Sequence, residues 1–547
     1  MLKNILNTFL VGVFLAVTFS PVYAYEAFKG PTDEGPTELI QYDVSKAYNG
    51  YTLFSPFRGK NTYLIDMKGN VVHMWPYPEG WSSPGQEAVE KHALLMEDGS
   101  LLRGTIDRSS GRTVTYQLMD WAGKVTWQYK DPRNDHRAHH DFKMIWNPKL
   151  KARTLIYVSG RSLTHEEAIA RGCDPNLRES YVSSPDGIVE VDMNGNIVWE
   201  WNISDHLIQD INPDVKNYVG KGKTIADYPE RMNPNFDGGR RGNWIHANSL
   251  DYNEALDHIA INNSRNSEFY VIDHGATFIV GDPRASIELT SRRKGDFIFR
   301  WGNPCAYESG DCMSQSSNST GHQQVFFTHD IQWIREKGDS PAKWGLPGAG
   351  NFLIFDNGSR RPDQRYSAVL EINPYDGDWK KGKYIPQPEA GHNSRGVSNQ
   401  IAWSFSPASP DSFFANYISG CQRLPNGNTL IDSGPHGHFF EVTKEGEVVW
   451  EYINPVGDRT GDDYGIYEIM NDGAGTRFNS VFRCHRYGPD YPGLAGKDLT
   501  PKGPITEIHP HSADEPKSPP PGAGGKGKKG KDGKRDKGKK GGRGRKK

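Results

Sequence analysis

The chain of 547 residues is far longer than one small core requires, so it forms one large repeat domain or two to four ordinary ones. Its five cysteines include no CxxC pair, which argues against a thiolate metal site, and beyond the first two dozen residues no apolar run approaches a membrane span. The net charge of −2 conceals an asymmetry: residues 526–547 carry 13 Lys or Arg against Asp532 and Asp536, a local +11 that leaves −13 elsewhere.

Residues 1–24 read as a secretory leader: Lys3, the apolar stretch "FLVGVFLAVTF", then Val22-Tyr23-Ala24 as a small-residue cleavage site. The expected location is therefore periplasmic or secreted. Residues 25–50 form a lead-in. One pattern then recurs six times: a β-rich run, a turn with Gly, and a run ending on an aromatic. The copies are "TYLIDMKGNVVHMW", "TYQLMDWAGKVTWQY", "GIVEVDMNGNIVWEW", "KGDFIFRWG", the interrupted "AVLEINPYDG…IAWSF", and "HFFEVTKEGEVVWEY". Alternating apolar residues around Gly-centred turns specify β-hairpins. Each hairpin follows another pair of short strands, giving four strands per copy. The expected fold is all-β, a six-bladed β-propeller over residues 51–455; two β-sandwich domains would not produce this four-strand period. Cys305 and Cys312 in "CAYESGDC" are near enough to staple one loop. Residues 456–508 are expected as an extension packed on the disc, and 509–547 as a disordered Gly/Lys-rich tail. Without interleaved aromatics, that tail suits an anionic cell-envelope polymer or mere solvation better than specific nucleic-acid recognition.

Four segments share a second register: "HALLMEDG" from His92, "HDFKMIW" from His140, "HANSLDYN" from His246 and "HDIQWIRE" from His329. Each histidine precedes a large apolar residue by four positions, so the two side chains share one side of a strand. In a propeller the first strand of each blade lines the axis, and equivalent positions converge there. The expectation is a ring of imidazoles with a gap at Gly420. Basic residues follow the second strands: Arg108, Arg161, Arg265, Arg360 and Arg361, with His436 and His438 in blade six. Such a collar on an acidic body favours an oxyanion guest such as sulfate, phosphate or carboxylate. Imidazoles also suit zinc or copper, but neighbouring arginines would repel a cation, so no metal ligand is assigned.

The stretches "WIHANSLDYN", "FFTHDIQWI…NFLIFDNGSRR", "LPNGNTLIDSGPHGHFFEVTKEGEVVWEYINP" and "FRCHRYGPDYPGLAGKDLTP" resemble the bacterial aryl-sulfate sulfotransferases that work without a nucleotide donor. The resemblance covers most of the chain after residue 24. It implies an exported six-bladed propeller without a cofactor, moving a sulfuryl group from a phenolic sulfate to a phenol through a sulfohistidine. It further implies that His246 and His329 bind and polarise the sulfate, with Asn357 and Arg360 or Arg361 assisting. A blade-six histidine becomes the nucleophile, His436 in preference to His438. His92, His140 and Arg265 join the binding set as neighbours in the ring and collar. Two other readings stand beside this one: a module binding sulfated or anionic polysaccharide, and a metal-dependent ester or sulfate hydrolase. The short lead-in leaves no room for an added dimerising β-domain, so a monomer is expected.

Overall fold

The computed structural model describes residues 23–25, 37–57, 61–76, 87–107, 112–176, 185–236, 244–314, 316–335, 345–375, 397–457 and 479–508. The leader through residue 22, Arg108 and the tail from 509 onward lie outside the described residues. Six antiparallel four-stranded sheets form a six-bladed β-propeller, as the hairpin repeat predicts. Among the described residues no helix is long and apolar enough to cross a membrane.

Alternation and turn chemistry build each blade locally. In the outer hairpins, Asp66 and Asp192 each accept two backbone N–H groups through Oδ1 at 2.8–2.9 Å, while Gly69 and Gly195 take φ of 83° at the turn. A side chain there would oppose the left-handed backbone. In five blades a tryptophan of the outermost hairpin strand then ties its blade to the next. The indole N–H of Trp75 donates to Asp120 O, Trp127 to Met193 O, Trp199 to Thr277 Oγ1, Trp403 to Lys444 O and Trp450 to Met67 O. These five bonds run from blade one to two, two to three, three to four, five to six, and six back to one. Apolar packing follows the same plan, because six buried clusters each join two adjacent blades. Truncating Trp75, Trp199 or Trp450, whose indoles are fully buried, to Ala would cost roughly 3–5 kcal/mol.

The sequence boundaries need one correction. Val481–Tyr487 is no extension packed on the disc. It pairs antiparallel with Tyr51–Pro56, as Cys484 opposite Phe54 and Tyr487 opposite Tyr51, and is the innermost strand of blade one. The N-terminal copy has only three strands of its own, so the ring closes with a strand from the other end of the chain. Glu38–Tyr42 of the lead-in is likewise a fifth, outer strand on blade six. Tyr23–Tyr25, at the expected cleavage point, pairs in parallel with the outer strand of blade five. Cys305 and Cys312 form a disulfide, while Cys173, Cys421 and Cys484 are buried thiols.

Candidate active site

The innermost strands carry the axis. Four of them break register near their first residues: between Val89 and Ala93, Ala138 and Phe142, His329 and Gln332, and Val481 and Cys484. Such bulges bend a strand and re-aim side chains, here toward the centre of the disc. The backbone is strained at two of these bulges, where His140 has φ 63° and Asp330 φ 54°, and again at His246, φ 46°, ahead of the blade-four strand. Left-handed conformations of non-glycine residues cost on the order of 1–3 kcal/mol each and concentrate at functional sites.

At the face where these strands begin, five rings close a circuit. His140 meets His246 edge-on at 4.7 Å between centroids, and His246 lies 6.4 Å from Phe327. Phe327 is 5.6 Å from His329, His329 is 6.3 Å from Phe482, and Phe482 is 6.1 Å from His140. The Arg360 guanidinium lies 5.1 Å from the Phe327 ring centre and donates to Arg265 O at 2.8 Å. Arg265, itself partly buried, bonds through its backbone N–H to Ile245 O, beside His246. His329 is 3% exposed, and its Nδ1 lies 2.6 Å from Asn357 Oδ1. Asn357 donates from Nδ2 to Ala415 O and Ile418 O, which fixes its oxygen toward the imidazole. The Nδ1 of His329 therefore carries a proton, which it donates to Asn357 Oδ1.

His436 stands in the turn after the second strand of blade six, on the short 3-10 segment Gly434–His436, and is partly exposed. Its Nδ1 is 2.9 Å from Ser433 Oγ. The turn abuts the closing strand so tightly that a Cβ on Gly434 would come within 2.6 Å of Val481 O.

Other expected members fall elsewhere. His92 leaves the ring: its bulge ends at Ala93, immediately after it, whereas that of blade three ends two residues after His140. The offset drops His92 one layer, to 3.2 Å from Asp141 and stacked on Phe142 at 4.6 Å. His438 is fully buried within blade six, where its Nε2 lies 2.9 Å from Glu451 Oε1. Arg361 is bound to Asp356 at 2.6 Å and packed over Tyr366, so it anchors its own loop. Arg161 spends its guanidinium on Glu167 and Asp135. Among the described arginines, the collar thus reduces to Arg360 and Arg265 at the ring. The gap at Gly420 is occupied: a Cβ there would lie 2.7 Å from Asp330 Oδ2 and 2.9 Å from Arg483 Cγ.

Arg483 is the residue that sequence reasoning missed most consequentially. It crosses the axis to pair with Asp141 through Nη1 and with Asp330 through Nε, each at 2.9 Å. Burial alone would raise the Asp141 carboxyl, but Arg483, with help from His92 and Lys143, holds it well below the usual carboxylate range. A second omission is His139. Its Nδ1 lies 2.6 Å from His140 Nδ1 and its Nε2 3.0 Å from Asp186 Oδ1. Asp186 also accepts the backbone N–H of Ala247 at 2.7 Å, so one buried carboxylate braces both His139 and the residue after His246. The doubled "HH" of "HHDFKMIW" was the available signal. Among the described residues, no three His, Cys, Asp or Glu side chains come together as a metal-ligand set.

Among curated proteins none matches the chain. Distant likenesses among solved structures include a protein of unknown function from Bacteroides caccae, 11% identical over 76% of this chain and 96% of that one, with a TM-score of 0.36. A virginiamycin B lyase from Staphylococcus aureus is 8% identical over 76% of this chain and 88% of its own, at TM-score 0.32. Both are too remote to bear on function. The family model for Arylsulfotransferase (ASST), by contrast, matches residues 40–458, which takes in all six blades but for the closing strand. The chain belongs to the arylsulfotransferase family.

Proposed function

We propose that this protein is an exported aryl-sulfate sulfotransferase that passes a sulfuryl group from a phenolic sulfate to a phenol by way of a sulfohistidine at His436. The observation that carries the reading is the convergence of His140, His246 and His329 with Arg360 around one axial opening, in a chain of this family. Arg360 and the imidazoles supply donors to the sulfuryl oxygens, and Phe327 and Phe482 supply a surface for the phenyl ring.

The chemistry runs in two displacements. In this scheme His436 keeps its proton on Nδ1, 2.9 Å from Ser433 Oγ, and attacks sulfur through Nε2. The sulfur–oxygen bond to the donor breaks, and the departing phenolate takes its electron pair and a proton from His246 or His329 in histidinium form. The acceptor phenol then attacks the sulfur of the N-sulfo intermediate. The nitrogen–sulfur bond breaks, its electron pair returns to His436, and the phenol's proton goes back to the imidazole that gave one up. The leader-like first 24 residues support export, and the basic tail supports contact with anionic envelope polymers. The chain acts as a monomer.

Purified protein given 4-nitrophenyl sulfate and phenol should release nitrophenolate. His436→Asn should lower turnover by about a thousandfold or more. His438→Asn should reduce thermal stability and leave most of the turnover in the folded fraction. A short exposure to the donor alone should add about 80 Da, one SO3, to the peptide holding His436. Undiminished turnover in His436→Asn would remove the sulfohistidine from the scheme.

A further inference from the structure

The axial channel has a second end. The C-terminal halves of the innermost strands, and the turns that follow, enclose a cavity of about 1220 Å³ on the face away from His140, His246 and His329. It is somewhat larger than the roughly 300–1,000 Å³ of most small-molecule sites. Phe482 stands between this floor and the ring of imidazoles, its centroid 5.7 Å from His92, 6.1 Å from His140 and 6.3 Å from His329.

The floor consists of His92, His485, Asp141, Asp330 and Arg483. His92 is 1% exposed; its Nε2 stands 3.2 Å from Asp141 Oδ1 without hydrogen-bond alignment, and its Nδ1 has no partner. The Nε2 of His485 is also buried without one. Natural cores rarely leave such atoms unsatisfied, since each costs on the order of 1–3 kcal/mol. Burial lowers the proton affinity of both imidazoles, so both are neutral near pH 7. A neutral imidazole offers one N–H and one lone pair, the complement of a hydroxyl group.

Charge excludes the alternatives. Arg483 is matched by Asp141 and Asp330, and Lys143 and Arg335 are both matched by Asp251. At the floor itself an anion would meet the Asp141 carboxylate and a cation the Arg483 guanidinium, each a like charge that adds to the cost of desolvation. The apolar part of the lining is Trp146, which is 47% exposed, with Trp333, Tyr491, Leu94 and Met144.

We propose that this second cavity is a binding site for a neutral, hydroxyl-bearing aromatic molecule, whose hydroxyl bridges His92 and His485 while its ring lies against the tryptophan wall. The probe is 2-naphthol, titrated against the full chain by calorimetry, with 2-naphthoate as the charged counterpart. Saturable naphthol binding should weaken about tenfold in His92→Leu, the loss of one net hydrogen bond. It should also fall sharply in Met144→Trp, which fills the wall without touching the floor. His329→Asn, at the other chamber, should leave this binding unchanged, and naphthoate should not compete for it. Met144→Trp decides the matter if His92→Leu fails to fold. The proposal is overturned by absence of saturable binding, by binding that only His329→Asn removes, or by equal competition from naphthoate.

Discussion

Asp186 shows how much a single buried carboxylate can do at this site. One oxygen holds His139 and the other holds the backbone beside His246, so His140 and His246 are positioned from one point. Asp186→Asn keeps an oxygen for Ala247 N–H but loses the charge-assisted bond to His139. With 4-nitrophenyl sulfate the expected result is a fall in kcat of about tenfold or more with KM little changed, the behaviour of a group that positions others. A variant with wild-type kcat would leave the His139–His140 pair a structural contact only. Residue type and spacing alone make His140, His246 and His329 legible in the sequence. His92 shared their spacing and still missed the ring, because a bulge ending one residue earlier re-aims a side chain while leaving the sequence motif intact. Arg161 and Arg361 were misjudged for a related reason. Their carboxylate partners Glu167 and Asp356 stand only five or six residues away, but whether a guanidinium turns to them or to the axis is decided by the loop fold.

Between elements, the outer hairpins were readable because their turns and aromatics are local, and the indole bonds from blade to blade explain why a tryptophan recurs in the outermost strand. The short helix His274–Thr277 was not readable, since four residues carry no periodicity. It nevertheless joins two blades. His274 is fully buried, with Nε2 at 2.8 Å from Glu190 of blade three and Nδ1 at 2.5 Å from Asp257 of blade four. Burial alone would depress this imidazole, but Glu190 and Asp257 outweigh it and push its pKa up to about 9. A raised folded-state pKa contributes stability that is fully present below the unfolded value near 6.5 and is lost as pH rises through about 9. Wild type should therefore lose roughly 3 kcal/mol relative to His274→Gln between pH 6 and pH 10. Melting both proteins across that range checks the sign. A constant difference would mean that the imidazole stays neutral between its two carboxylates.

For the molecule as a whole, the decisive pairing is the one that sequence pattern could not reveal. Val481–Tyr487 reaches Tyr51–Pro56 across more than 400 residues with no connecting turn, and hairpin grammar describes only neighbours. The strand closes the ring and delivers Arg483 to the axis. Without it, Tyr51–Pro56 would become an open inner edge, and Asp141 and Asp330 would lose the cation that both of them face. Removing one partner of a buried ion pair costs about 3–5 kcal/mol, and here two carboxylates depend on one guanidinium. A chain ending at residue 508 should therefore melt like the full-length protein, because every described contact is retained. A chain ending at residue 478 should show no cooperative melt and collect in aggregates, since an unpaired inner edge invites other strands. Supplying residues 479–508 as a separate peptide should recover part of the soluble, cooperative species. A cooperative transition at the full-length temperature in the shorter chain would mean that five complete blades and one partial blade close the disc unaided, and that the clasp serves only to place Arg483.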